Sequence, residues 1–432
     1  MLLTNVTRKL ERAHPAIFSA YCITAAFMTY FCMYAFRKPF TAAEFADIHS
    51  GWGLAYKPML IASQTVGYTL SKFWGIKFIS ELPPRRRSQM LITLIAVAHA
   101  ALALFAIVPS QWAWLLLFVN GLPLGMVFGL VLGYLEGRQV TEALSAGLCA
   151  SFIASSGFVR SVGKSLVVTW GVDEFWMPFC TGALFWLPFL LGVWLLRQIP
   201  GPNRQDVAAR APREPIDARD RMNVLRRHWA GLLSLILVYM LLTILRGVRD
   251  DFGAELWGAL GFAEKPAVFA QSEMLVMLVV LLLNGAAFVI RDNRFAFFTS
   301  LLTVAAGALI IVAGVVAFLT NAISGFGFMV VVGVGTYVPY VAFHTTVFER
   351  MISIFRDRSN LGYFMYLADA FGYLGYVGSL VVVGTAVPDD SLLTAFVWLA
   401  IGVASATLVL IGYSSSLFLK RVPDHVAMEA TS

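Results

Sequence analysis

The sequence predicts an all-α membrane protein of about twelve transmembrane helices, in two six-helix bundles with both chain termini in the cytoplasm. Of its 432 residues, 59% are hydrophobic and 13% are charged, whereas soluble domains contain about 25% charged residues. The apolar runs are continuous for about twenty residues, which is the length of a membrane-spanning helix. Because barrel strands alternate apolar and polar residues over about ten positions, this pattern excludes a barrel. The composition also excludes a disordered chain, a nucleic-acid-binding protein and an ordinary cytosolic enzyme.

Runs of this length define twelve predicted spans and one long interruption. The spans cover residues 16–38, 56–76, 89–108, 112–135, 144–168, 176–197, 228–250, 266–290, 295–318, 325–348, 359–384 and 391–418. We predict an N-terminal six-helix bundle over 1–197 and a polar, proline-bearing, basic cytoplasmic linker over 198–227. A C-terminal six-helix bundle with a short cytoplasmic tail then covers 228–432. The first apolar run is too long for a signal peptide and is retained as a membrane helix.

The placement of Lys and Arg residues predicts the orientation in the membrane. With the N-terminus inside, most of the 32 Lys and Arg residues fall on cytoplasmic segments, as the positive-inside rule requires. These segments lie at 8–12, 77–87, 138, 197–227, 291–294, 350–358 and 420–421. The net charge of +7 therefore does not by itself indicate an anionic partner.

The remaining cations lie in or near apolar helices. We interpret Lys57 and Lys265 as helix-end residues that snorkel to the interface, and we favour a helix-end position for Lys164 and Arg249 as well. A charge at bilayer depth costs several kcal/mol, so cations within the helices are expected to face a wet cavity and carriers of opposite charge. The residues that we assign to function in this way are Arg37, Lys38, Lys72, Arg160 and Arg246.

Two arginines occupy matching places in the two halves. Arg37 lies late in the first predicted helix, and Arg246 lies late in the seventh. Transporters built from two repeats place their binding site near the bilayer midplane, at the interface of the repeats. Because guanidinium groups match phosphate or carboxylate oxygens bidentately, we predict that both arginines bind a small anion with a phosphate-like headgroup.

Tyrosines accompany these cations at helical spacing. Tyr30, Tyr34 and Arg37 follow the i, i+4, i+7 pattern and share one helix face. Tyr68 and Lys72 share a face of the second helix. Phenol hydroxyls beside a cation are suited to a polar ligand, although tyrosines at this depth also occur in interfacial aromatic belts.

Other features carry weaker assignments. Asp251, Glu273 and Asp369 are interpreted as counter-ions of the arginines or as proton carriers, and His344 as a core histidine. Glycines recur every four residues in the fourth helix and predict close helix packing; they are Gly121, Gly125, Gly129, Gly133 and Gly137. The cysteines have no metal-ligand spacing and are expected to be small buried hydrophobes; they are Cys22, Cys32, Cys149 and Cys180.

The sequence contains no motif of enzymatic chemistry. It has no P-loop, no dinucleotide-binding turn, no HExxH and no nucleophile elbow. We therefore predict no catalytic residues, no cofactor and no metal, and we expect any driving energy to come from solute or proton gradients.

The motifs resemble the major facilitator superfamily and, within it, the organophosphate:phosphate antiporters, which transport glycerol 3-phosphate and hexose phosphates. In that family the first helix carries Tyr-x3-Tyr-x2-Arg-Lys, which is similar to Tyr30, Tyr34, Arg37 and Lys38 here. The second helix carries Tyr-x2-Ser-Lys, similar to Tyr68, Ser71 and Lys72. The further similar positions are Glu81 and Arg85 in the following loop, Arg246, Asp251 and Phe252 in the seventh helix, and Glu273 early in the eighth.

Two positions depart from the family pattern. The family's fifth helix carries a histidine that approaches the substrate phosphate, and Arg160 stands at the comparable place here. A tyrosine near the family's arginine in the seventh helix is replaced by Thr243. These departures leave the organic part of the ligand open and also allow a phosphonate or a sugar acid.

The resemblance implies a secondary transporter of the bacterial inner membrane that exchanges a small organophosphate for inorganic phosphate by alternating access. The partners expected from it are the anionic substrate, inorganic phosphate and the lipid bilayer, with the protein acting as a monomer. Two alternatives remain at this point. One is a proton-coupled symporter of a carboxylate or sugar acid that uses Asp369 or Glu273 as its proton carrier. The other is a transporter-like sensor of an anion.

Overall fold

The computed structural model describes residues 5–45, 48, 55–81, 83–135, 141–201, 218–287, 290, 292–355, 361–388 and 391–420. Several predictions concern positions outside these residues: Gly137 of the glycine pattern, Arg138, Arg291, Arg356, Arg358 and Arg421 of the basic segments, most of the linker and the tail after Lys420. The side chain of Cys149 also lies outside the described part.

The described residues are mostly helical, with short turns and loops between the helices. In chain order its α-helices are α1 (Asn5–Glu11), α2 (Pro15–Met33), α3 (Tyr56–Glu81), α4 (Arg87–Ile107), α5 (Ser110–Leu124), α6 (Val127–Leu135), α7 (Thr141–Val168), α8 (Met177–Gln198), α9 (Ala218–Asp251), α10 (Gly253–Ala259), α11 (Ala267–Ala287), α12 (Asn293–Leu319), α13 (Gly325–Ala342), α14 (Phe348–Phe355), α15 (Leu361–Ala386) and α16 (Leu392–Leu419).

Each of the twelve predicted spans coincides with a long helix or a broken one. Among the described residues, ten helices are long and apolar enough to cross a membrane. The other two predicted spans correspond to α3 and α7, which carry the charged residues Lys57, Lys72, Arg160 and Lys164. The predicted all-α class with its membrane spans is confirmed. The N-in, C-in orientation stays a prediction.

Three spans differ from their predicted form. The first span does not run as one helix to residue 38, because α2 ends at Met33 and two 3-10 turns follow at Tyr34–Phe36 and Pro39–Ala42. The fourth breaks after Leu124, one residue beyond the helix-disrupting Pro123. The tenth contains a π-turn, Phe343–Val347, four residues after Pro339. In addition, α9 begins at Ala218, inside the predicted linker.

The chain divides into two compact units. Unit 1 comprises Met1–Ala211, Val248–Met277 and Val377–Ala395. Unit 2 comprises Pro212–Gly247, Leu278–Tyr376 and Phe396–Ser432. The helix α9 therefore contributes residues to both units. The predicted division at the linker stays a prediction.

Glycines allow close helix packing within each unit. In unit 1, a Cβ on Gly121 would lie 2.2 Å from the Gln64 carbonyl oxygen, so α5 and α3 are in backbone contact. In unit 2, a Cβ on Gly307 would lie 2.7 Å from the Gly335 carbonyl oxygen, so α12 and α13 are also in backbone contact. The packing role predicted for the glycine pattern holds at Gly121. Cys22 and Cys32 are buried free thiols, and Cys180 is a half-buried one.

Candidate functional site

The break in the first membrane helix places Arg37 and Lys38 between two 3-10 turns of unit 1. A helix end leaves backbone carbonyls without partners in the helix. Here buried side-chain amides donate to them. Asn120 Nδ2 donates to the carbonyl of Phe36 at 3.0 Å, and Gln64 Nε2 donates to that of Arg37 at 2.9 Å. Gln64 Nε2 also donates to Asn120 Oδ1 at 2.7 Å, so the two amides support each other.

The Arg37 side chain lies on the face of the Tyr68 ring. Its guanidinium carbon is 3.8 Å from the ring centroid, and the side chain is 7% exposed. Lys72 Nζ lies 5.1 Å from the centroid of the same ring. A cation over a tyrosine face is attracted by the ring quadrupole. Tyr68 therefore brings Arg37, at the helix break, close to Lys72 of α3, and their assignment to one binding site stays a prediction.

Tyr30 of α2 and Tyr34 of the first 3-10 turn complete this group. The rings of Tyr30 and Tyr34 meet edge to face at 5.6 Å, and the Arg37 guanidinium carbon lies 5.9 Å from the Tyr34 centroid. Tyr30 also packs against Phe128 at 5.4 Å. The predicted common face of Tyr30, Tyr34 and Arg37 is thus continued through the 3-10 turn. We call the group Arg37, Tyr34, Tyr68 and Lys72 the arginine–tyrosine cluster.

The other predicted cations of unit 1 are matched by carboxylates. Lys38 Nζ forms an ion pair with Asp251. Arg160 bonds the backbone carbonyl of Asp250, and its Nη2 lies 3.5 Å from the Asp250 carboxylate. Arg160 Nε also donates to the Ser156 carbonyl at 2.9 Å. Asp251, predicted as a counter-ion of the arginines or a proton carrier, pairs with a lysine, whereas Arg160 is held by a residue that the sequence did not single out.

Two cations assigned to helix ends lie there and are also buried ion-pair partners. Arg249, in the last turn of α9, has its Nη1 2.6 Å from Glu273 Oε1, and both side chains are at most 4% exposed. Lys57, the second residue of α3, is 4% exposed, and its Nζ lies 2.6 Å from Glu255 Oε1 while donating to the Thr41 carbonyl at 3.0 Å. The helix-end positions predicted for Lys57 and Arg249 are therefore confirmed, whereas the snorkelling interpretation of Lys57 is wrong. Both residues meet carboxylates that the packing of other helices brings to them.

Cations outnumber carboxylates among the charged residues named so far in unit 1. The cations are Arg37, Lys38, Lys57, Lys72, Arg160 and Arg249, and the carboxylates are Asp250, Asp251, Glu255 and Glu273. Four of these cations lie within 3.5 Å of a carboxylate, and Arg37 and Lys72 both lie against the Tyr68 ring. Such a concentration of cations inside a membrane protein favours the binding of an anion.

In unit 2, Arg246 also lies on a tyrosine. Its guanidinium carbon is 4.3 Å from the centroid of the Tyr340 ring. Tyr340 stacks on Tyr239 with a centroid distance of 5.2 Å, and their hydroxyl oxygens are 3.1 Å apart. The Tyr239 hydroxyl donates to Asp369, and the His344 ring lies 4.7 Å from that of Tyr340. Arg246 and Asp369, assigned separately from sequence, thus belong to one cluster.

The sequence analysis missed Tyr239 and Tyr340, although a signal for Tyr239 was present. Tyr239, Thr243 and Arg246 repeat the i, i+4, i+7 spacing of Tyr30, Tyr34 and Arg37. In each unit an arginine that closes this pattern lies on a tyrosine from a different helix. The prediction that Arg37 and Arg246 bind the same ligand stays a prediction.

The described residues contain no group of three or more His, Cys, Asp or Glu side chains that could hold a metal ion. The carboxylates of unit 1 are instead adjacent to cations, as in the pairs of Asp251 with Lys38 and Glu273 with Arg249.

Comparison with known proteins assigns the family. Residues 39–421 match the model of a family of unknown function, DUF5690. The chain belongs to this family. The matched region of this DUF5690 member begins just after Lys38, so Tyr30, Tyr34 and Arg37 precede it. No curated protein is significantly similar in sequence to the chain.

Solved structures show the fold. The chain is similar to a crystal structure of a D-xylose–proton symporter, with a TM-score of 0.62, 14% identity, and coverage of 92% of this chain and 96% of that one. It is also similar to a crystal structure of the nucleoside transporter NupG, with a TM-score of 0.58, 13% identity, and coverage of 93% of this chain and 98% of that one. The DUF5690 chain therefore has the major facilitator fold. These comparisons do not support the finer resemblance to the organophosphate:phosphate antiporters.

Proposed function

We propose that the protein is a secondary transporter that exchanges a small organic anion with a phosphate-like headgroup for inorganic phosphate. The observation that carries the proposal is the convergence of Arg37 and Lys72 on the Tyr68 ring, 3.8 Å and 5.1 Å from its centroid. Two cations from different segments of unit 1 thus lie against one aromatic ring. A tetrahedral dianion is the ligand that offsets both.

The chemistry of these side chains favours phosphate over a monovalent anion. A guanidinium presents parallel N–H donors that match two oxygens of a phosphate, while an ammonium is a compact charge with three donors. The hydroxyl of Tyr34, within the same cluster, is a further donor for a polar ligand. Arg37 and Lys72 together carry two positive charges, which match the charge of a phosphate dianion.

Exchange follows from the electrostatics of the empty cluster. At an effective dielectric constant of about 20, two like charges about 6 Å apart repel by roughly 3 kcal/mol. If the transporter closed around the cluster without a ligand, the like charges would lie in a drier environment and repel each other more strongly. A bound dianion instead attracts both cations. An empty carrier should therefore return slowly, and one anion should leave only as another is carried back.

Arg246 occupies the same place in the seventh predicted helix as Arg37 does in the first. We assign it to the same anion as a second guanidinium. The proposal also includes a bacterial inner membrane, both termini in the cytoplasm, and a monomer that works by alternating access.

Thermal-shift measurements on the purified protein test the ligand class. The probes are inorganic phosphate, glycerol 3-phosphate, methylphosphonate and gluconate, with xylose as a neutral control. A ligand at 100 times its Kd stabilises a protein by about 2.7 kcal/mol, so a phosphorylated ligand should raise the midpoint clearly. The increase should vanish in Arg37→Ala and Arg246→Ala and persist in Arg197→Ala, which removes an exposed arginine of α8.

Transport in proteoliposomes tests exchange. Uptake of the stabilising labelled ligand should be fast when the vesicles contain inorganic phosphate and slow when they contain only buffer. Equal uptake under both conditions would contradict exchange. Stabilisation by xylose but by none of the anions would contradict the ligand class.

A further inference from the structure

Three side chains of unit 2 form a hydrogen-bonded chain. Tyr340 of α13, Tyr239 of α9 and Asp369 of α15 are linked in this order through their oxygen atoms. Tyr239 is completely buried, and Asp369 is half-buried. A buried chain of polar groups from three helices is costly unless its members satisfy each other. Its retention in an apolar bundle points to a role beyond packing.

The number of hydroxyl hydrogens determines which residue donates in each of these hydrogen bonds. A phenol has one hydrogen to donate. Because Tyr239 donates its hydrogen to Asp369, the contact of 3.1 Å with Tyr340 requires the Tyr340 hydroxyl to be the donor. An ionised Asp369 accepts at one end, and both phenols point their hydrogens toward it.

Charged and titratable groups face this chain from the same elements. The Arg246 guanidinium of α9 covers the Tyr340 ring at 4.3 Å. His344, in the π-turn after α13, lies 4.7 Å from Tyr340 and stacks on Tyr239 at 5.7 Å. Tyr373 lies one turn beyond Asp369 on α15 and is buried. Arg246 and Asp369 are the charged members, and their formal charges cancel.

We propose that Asp369 is a proton-binding site that is linked to anion binding at Arg246 through Tyr239 and Tyr340. A hydronium ion transfers a proton to the Asp369 carboxylate: one O–H bond of the hydronium breaks, the O–H bond of the acid forms, and water leaves. The neutral acid is a weaker acceptor, so Tyr239 releases it and the hydroxyls of Tyr239 and Tyr340 reorient. The negative charge that Asp369 sets against Arg246 is then removed. By linkage, protonation strengthens anion binding and anion binding strengthens protonation.

Infrared spectroscopy tests the proton site without any ligand. In the protein reconstituted in lipid, the carbonyl stretch of a protonated carboxyl group should appear as the pH is lowered. This band should be absent in Asp369→Asn and shifted in Tyr239→Phe. Thr243→Val is the matched control, because its hydroxyl lies on the same helix and donates to the Tyr239 backbone carbonyl at 2.8 Å. A band that is unchanged in Asp369→Asn would overturn the proposal.

Sulfate binding tests the linkage to the anion, which rests on the proposed function. Sulfate is a tetrahedral dianion that keeps its charge across the neutral pH range. A change in its Kd with pH therefore reflects protonation of the protein and not of the ligand. Linkage to one proton gives at most about a tenfold change in Kd per pH unit. We expect tighter binding at lower pH, no pH dependence in Asp369→Asn, a weaker one in Tyr340→Phe, and the full effect in Thr243→Val.

The outcomes separate this inference from the proposed function. If sulfate and phosphate fail to bind, the proposed function fails while the infrared band still tests the proton site. Uptake driven by a proton gradient into phosphate-free vesicles would replace exchange by symport and support the proton site. A pH dependence that survives in Asp369→Asn but disappears in His344→Gln would assign the proton to the histidine and overturn the inference.

Discussion

The side-chain amide of Asn120 donates to the backbone carbonyl of Phe36 at 3.0 Å, where the first membrane helix gives way to its 3-10 turns. The same nitrogen donates to the Ala98 carbonyl at 2.9 Å, so one side chain of α5 joins α4 to the break. Asn120 is completely buried. The position of Arg37 thus depends on an amide more than eighty residues away in the sequence.

Asn120→Ala should destabilise the protein and weaken anion binding. The change removes the side-chain donor to the carbonyls of Phe36 and Ala98 and one of the two acceptors of the Gln64 amide, and each buried unsatisfied group costs roughly 1–3 kcal/mol. We expect a loss of about 2–4 kcal/mol in the free energy of unfolding, measured by thermal or denaturant unfolding. Asn284→Ala is the control, since Asn284 mainly bonds the Val280 carbonyl of its own helix at 3.1 Å. Similar losses in both variants would argue against a specific role of Asn120.

Gly125→Ala should move α3 and with it Tyr68. A Cβ at this position would lie 2.0 Å from Ser71 Oγ and 2.4 Å from the Tyr68 carbonyl oxygen. Overpacking of this kind costs about 1–3 kcal/mol. The unfolding midpoint should fall, and the Kd for phosphate should rise. Gly402→Ala, in α16, has no atom within 4 Å of the new Cβ and should change neither quantity.

Arg249→Leu and Glu273→Leu should each be strongly destabilising, and the double variant less so than their sum. Removing one member of a buried ion pair leaves an uncompensated charge and costs about 3–5 kcal/mol, whereas replacing both is often nearly neutral. A double-mutant cycle on the free energy of unfolding measures the coupling. Additive losses of unfolding free energy would show that Arg249 and Glu273 are not energetically coupled despite their contact of 2.6 Å.

The stability of the protein should depend on pH through Glu255. This residue lies in α10, between two candidate spans, and burial raises the pKa of its carboxyl above the usual 4.5, with Lys57 acting in the opposite direction. The folded protein then binds the proton more tightly than the unfolded chain, so the free energy of unfolding falls as the pH rises through this pKa. In pH-dependent unfolding, Glu255→Gln should remove this decrease. Glu264→Gln, at an exposed position, should retain it.

The spans were predictable because a helix that faces lipid needs a continuous apolar run, which is visible in the sequence. The ends of α12 and α16 fall within two residues of the predicted ones. The internal breaks were not predicted, although Pro39, Pro123 and Pro339 mark their neighbourhoods. At these breaks the hydrophobic pattern continues while the backbone hydrogen bonding changes.

The partners of the buried charges could not be predicted from sequence. Spacing along one helix brought Tyr34 and Arg37 to a common face, and the structure retains this. The pairing of Lys57 with Glu255 joins residues almost two hundred positions apart and depends on which helices pack together. The same holds for Tyr239 and Asp369. Patterns along a helix were therefore informative, whereas contacts between helices required the structure.

The charged residues named in unit 1 bear on how membrane voltage acts on transport. Voltage does work only on charge that moves, about 2.3 kcal/mol per elementary charge per 100 mV. With a phosphate dianion bound, the six cations and four carboxylates named there, together with the dianion, carry no net formal charge. At alkaline pH, where Asp369 is ionised and offsets Arg246, exchange should therefore run at one rate whatever diffusion potential is imposed on the vesicles.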